Sequence, residues 1–189
     1  MNACEAEPLF AAVHLRLRAE LAGALATLCA AEAESAAVAP PVLQRLAWVL
    51  QCYSDLHGVE AELCGRGAHT AIGNPDLLHG LGELQARVSA ALAPGGRSPD
   101  RLGAVRQYLG LFLAEALVQM HVKETEDEPA LSCRLGRHGM RRMHEGLGAV
   151  LAALQARGPA TPTPQRPWLP PPSEVRSAAA GAAPRGMLA

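Results

Sequence analysis

Between Leu43 and Cys64 one set of side chains recurs at steps of three and four without a break: Leu43, Leu46, Leu50, Tyr53, His57, Glu60, Cys64. Steps of three and four place all of them on one face of an α-helix. The stripe begins as leucines and runs, on the same face, into an imidazole and a carboxylate. Whatever packs against this helix must receive both kinds of group, and a buried carboxylate without a partner is costly.

Four further stretches carry the same period. Phe10, Val13, Leu17, Leu21, Ala24 and Leu28 predict a first helix over about 8–31, and the leucine stripe above a second over about 41–64. Leu77, Leu81, Leu84, Val88 and Leu92 predict a third; Leu102, Val105, Leu109, Phe112, Ala116 and Met120 a fourth, reaching about Glu128. Met140, Met143, Leu147, Val150 and Leu154 predict a last stretch to about Arg157. Turn chemistry separates them: Pro41 in a first turn, Asn74 as a cap before Pro75, and Ser98 as a cap before Pro99. Pro129 lacks the N–H that a helix needs, so a kink or restart is expected there. Apolar residues make up 49% of the chain but aromatics only 3%, and Val and Ile, which strands recruit, are few. The expected fold is therefore all-α: an antiparallel up-down four-helix bundle over 8–157, with an extra C-terminal helical stretch. The last segment, 158–189, opens "GPATPTPQRPWLPPP" and is too poor in apolar residues to pack. It is expected to be a disordered tail of polyproline character.

Several function classes are disfavoured. A net charge of −1 and a pI near 6.6 do not suit phosphate neutralisation, so nucleic acid is not expected as a partner. No charge-free apolar run is long enough for a spanning helix, and "MNACEAEPLF" has no basic start before an apolar core, so neither a membrane span nor a secretory leader is expected. Five cysteines without a C-x-x-C pair fit a reducing cytoplasm. No Gly-x-Ser-x-Gly elbow or phosphate loop is present, and His-x-x-Glu reverses the Glu-x-x-His of ferritin-type di-iron bundles. The chain is therefore not expected to be an enzyme, and no catalytic residue is assigned. A protein partner could use the bundle surface or the Pro-rich tail.

Two segments carry His-x-x-Glu: "LHGVEAEL", with His57 and Glu60, and "MHVKETEDEPAL", with His121 and Glu124. Together with "LFAAVHLRLRAEL" and "DLLHGLGEL", these make a series that resembles the hemerythrin-like HHE family, over roughly 8–157. The resemblance implies an antiparallel four-helix bundle whose inward His and carboxylate side chains hold two bridged iron ions, used to bind oxygen or to sense oxygen or iron. In that family the ligands of helices 2 and 4 usually stand as His-x-x-x-Glu. Here the fourth residue after each His is Ala61 or Thr125, and the glutamates come one place early. In a shifted frame Gln119 and Lys123 replace the helix 4 ligands, and Leu56 replaces the first His of helix 2.

The candidate metal ligands are thus His14, His57, Glu60, His79, His121 and Glu124. At about 100° per residue, His14 and His57 lie on their apolar stripes and Glu60 at the edge of one. His79 falls on the outer face of its helix, His121 outside its central stripe, and Glu124 and Lys123 near it. Two outcomes follow: a bundle binding iron, as a pair or a single metal, or a metal-free bundle in which the Lys123 ammonium pairs with Glu60 or Glu124 and the scaffold serves as an interaction or regulatory module.

Overall fold

The structure, a computed structural model, describes residues 8, 10–34, 38–64 and 75–156. The expected cap at Asn74 and the expected tail at 158–189 lie outside the described residues. All secondary structure within them is helical: α1 (Ala11–Ala33), α2 (Pro40–Cys64), α3 (Pro75–Leu92), α4 (Pro99–Val122) and α5 (Glu128–Gln155), with a π-helical turn at Lys123–Asp127 between α4 and α5. Ser98 caps α4 as expected, its hydroxyl accepting the Arg101 N–H at 3.4 Å with Pro99 in the first turn. No described helix is long and apolar enough to cross a membrane.

The leucine stripes form one core. Leu17, Leu21, Leu43, Leu46, Leu50, Leu77, Leu84 and Leu109 are wholly buried, and Tyr53 meets Phe112 edge-on at 5.1 Å. Each such leucine contributes about 1.5–3 kcal/mol of burial. α1 packs against α2 and α4, and α3 against the same two helices. Side-chain pairs fix the directions. Glu20 meets Arg45, whereas Glu124 near the end of α4 meets His14 and Arg18 near the start of α1. Arg106 near the start of α4 meets Glu32 near the end of α1, so α1 and α4 are antiparallel.

α5 lies on the outside of α2 and α1. The Trp48 indole N–H donates to Ala153 O at 3.1 Å, and Arg142 reaches Glu62 at 2.6 Å, so α5 runs antiparallel to α2. Arg45 donates to Leu154 O and Ala156 O, satisfying carbonyls that the end of α5 leaves unpaired. A Cβ on Gly146 would stand 2.6 Å from Val59 Cγ1, so the two backbones approach more closely there than an alanine allows.

The restart expected at Pro129 is present: α4 ends at Val122, and α5 opens at Glu128 with Pro129 in its first turn. The two helices are joined through the π turn, in which Glu128 N–H bonds to Lys123 O, five residues back. A proline ring collides with the carbonyl four residues before it, here that of Thr125. Widening the ladder just ahead of Pro129 relieves that collision. The chain reverses further on, at Gly136, whose φ of +60° and ψ of −179° only glycine adopts readily. Gly139 completes the corner, since a Cβ there would stand 2.8 Å from Leu135 Cβ.

Candidate functional site

Five of the ionisable groups singled out in the sequence meet at one end of the core, where α1, α2 and the π turn converge. His14, Glu60, Lys123 and His57 are 0%, 2%, 5% and 7% exposed, and no other described polar or charged side chain is as buried. Glu124 is half-buried beside them. The stripe arithmetic accounts for His14 on α1 and for His57 and Glu60 on α2. It accounts for Lys123 too, three residues after buried Met120 and with its backbone N–H still bonded to Gln119 O, while Glu124 follows in the π turn and faces α1. Thr125 Oγ1 donates to His121 O at 2.8 Å, a backbone carbonyl at the place where the ladder widens.

The groups divide into two linked sets. In the inner one, the Lys123 ammonium donates to Glu60 Oε2 at 2.5 Å, and His57 Nδ1 stands 3.3 Å from the same oxygen without the alignment of a hydrogen bond. Burial opposes the charge on Glu60, but His57 and Lys123 outweigh it and hold the carboxyl below the usual carboxylate range. In the outer set, Glu124 Oε1 accepts from Arg18 Nη2 at 2.7 Å and pairs with His14 Nδ1 at 2.9 Å. Burial lowers the His14 pKa to about 4, against the opposing pull of Glu124. His14 is therefore neutral near pH 7, and its Nδ1–H is the donor to the carboxylate. Phe10 stacks on the His14 ring at 5.3 Å, and Tyr53 lies tilted against His57 at 5.1 Å.

His79 and His121 are not part of this cluster. Both are exposed, His79 in a cleft between α3 and α4 lined by Asp76, Glu83 and Glu115. The six candidate ligands are thus separated: four converge, and two face outward because their helices turn other residues to the core. Arg18 was not singled out in the sequence, although it lies one helical turn after His14, the spacing that puts two side chains on one face.

The donor set does not suit a divalent cation. Each converging carboxylate already holds a cation of the chain itself, Lys123 on Glu60 and Arg18 on Glu124. An ammonium 2.5 Å from the carboxylate would repel a metal placed on that group. Among the described residues no three His, Cys, Asp or Glu side chains are placed to hold a metal ion. What the arrangement does is neutralise buried charge in place. It does so incompletely, since His14 Nε2, both His57 nitrogens and Glu60 Oε1 are buried without a hydrogen-bond partner. Comparison of the chain with protein-family models, with curated proteins and with solved structures returns no match.

Proposed function

We propose that this chain is a hemerythrin-like antiparallel four-helix bundle, with α5 as an added outer helix, in which a lysine stands where that family carries metal, and that it serves as a non-enzymatic protein-interaction module. One observation carries the reading: the Lys123 ammonium, buried, on the carboxylate of Glu60. A carboxylate enclosed in a core needs a cation beside it. An internal ammonium supplies one without an exchangeable ion, and the scaffold then keeps its fold independently of iron supply.

The test is metal content. The full chain, purified from cells grown with added iron, zinc or manganese, is expected to contain no stoichiometric metal while its circular dichroism reports an intact helical fold. One or two metal ions per chain, lost on His57→Ala or Glu60→Ala, would overturn the reading.

A further inference from the structure

The corner at Gly136 carries a concentration of one sign of charge that the interior does not require. From Arg134 to His144 the chain holds four arginines and two histidines and no acidic residue. Arg134, Arg137, His138, Arg141, Arg142 and His144 are all exposed. The same arm buries Met143, Leu147, Val150 and Leu154 on its other side, so packing fixes the direction of the basic face.

Internal pairing does not explain these charges. Arg142 reaches Glu62 at 2.6 Å and Arg141 reaches Glu145 at 3.7 Å, both at well-exposed positions where such pairs add little stability. Arg134 and Arg137 have no ion-pair partner among the described residues. Arg137 and Arg141 stand four apart on one helix, where like charges repel. An arrangement that is mildly unfavourable in the free chain becomes favourable when an anion binds across it.

We infer that the exposed basic corner formed by Arg134, Arg137, Arg141 and Arg142 is the docking surface for a carboxylate-rich segment of a partner protein. Guanidinium groups grip carboxylates in paired hydrogen bonds, and Arg142 already holds one, that of Glu62. The occupant is short. Glu124, Glu126, Asp127 and Glu128 lie just before the corner, and Glu145 just after it. A long phosphate backbone would run into these carboxylates on leaving the arginines, whereas a compact acidic segment stays within them. The inference rests on the reading of the chain as an interaction module, and names the surface and the partner's chemistry.

The experiment measures fluorescence polarisation of a labelled octaglutamate peptide with the full chain at about 0.15 M salt, where screening confines attraction to roughly 8 Å. Saturable binding is expected. Arg137→Glu/Arg141→Glu should weaken it by about tenfold or more, the equivalent of at least 1.4 kcal/mol, while Arg97→Glu/Arg101→Glu leaves it unchanged. If the reversed variant loses helical signal, Arg134→Gln/Arg137→Gln takes its place, with weakening of the same sign expected. Absence of saturable binding, or binding indifferent to these substitutions, overturns the inference. So does tighter binding of an oligothymidylate of equal charge, which would make the partner a nucleic acid. Self-association in sedimentation that the reversed variant abolishes also overturns it, since the occupant would then be a second copy. None of these variants touches Glu60 or Lys123, so the metal assay on the same proteins reports on the interior alone.

Discussion

Replacing Lys123 by methionine is the sharpest test of the interior. Methionine has nearly the same length and keeps the apolar packing, so the loss is confined to the ammonium. Glu60 would then remain 2% exposed, with Oε1 already lacking a hydrogen bond and only the misaligned His57 near Oε2. Removing one member of a buried pair costs about 3–5 kcal/mol, a large part of the roughly 5–15 kcal/mol that stabilises a domain. Glu60→Leu should cost less, because the long lysine stem can carry its ammonium toward water. In the double variant, Glu60→Leu/Lys123→Met, no charge is left uncompensated, and stability should return to within about 1 kcal/mol of the parent or exceed it. Urea unfolding followed by helical circular dichroism at pH 7 measures all four proteins, and the cycle isolates the coupling. The reasoning is refuted if Lys123→Met falls within about 0.5 kcal/mol of the parent, as a surface substitution would. Strict additivity of the two single changes would refute it equally.

Two further outcomes follow from the same geometry. His14 has a folded pKa of about 4 against 6.5 when unfolded, so between those values the unfolded chain binds the extra proton. Stability is then complete above about pH 6.5 and falls as pH drops toward 4. At roughly 1.36 kcal/mol per pH unit the loss amounts to about 3 kcal/mol, and His14→Gln should flatten the slope of urea stability across that window. At the α2–α5 contact, Gly146→Ala should cost about 1–3 kcal/mol by overpacking against Val59, a thermal-unfolding difference that Val59→Ala in the same chain should reduce.

Much of the candidate site was legible in one dimension. His14 follows Phe10 by four residues and His57 follows Tyr53 by four, so each imidazole inherits the inward direction of an aromatic neighbour on the same stripe. Glu60, read at the stripe's edge, is pulled fully inside. The sequence also offered Lys123 two carboxylates, and the choice of Glu60 over Glu124 came from elsewhere: Arg18 on α1 occupies Glu124 first. The reversal at Gly136, beyond the restart at Pro129, is not legible in the sequence, because the proline is the stronger local signal. A widened turn absorbing that proline is a property of the whole ladder around it.

What the sequence determined by itself is whatever a single helix fixes: the five stripes, the Ser98 cap, and the faces on which His14, His57 and Glu60 lie. These depend on a rotation of about 100° per residue and on nothing further away. Only the tertiary structure decided which charges meet and which way the last helix runs. Pairing Lys123 with Glu60 requires the azimuths of α2 and α4 relative to each other. Core packing sets those angles, because buried leucines interlock in few ways and the ionisable groups must take the partners that remain.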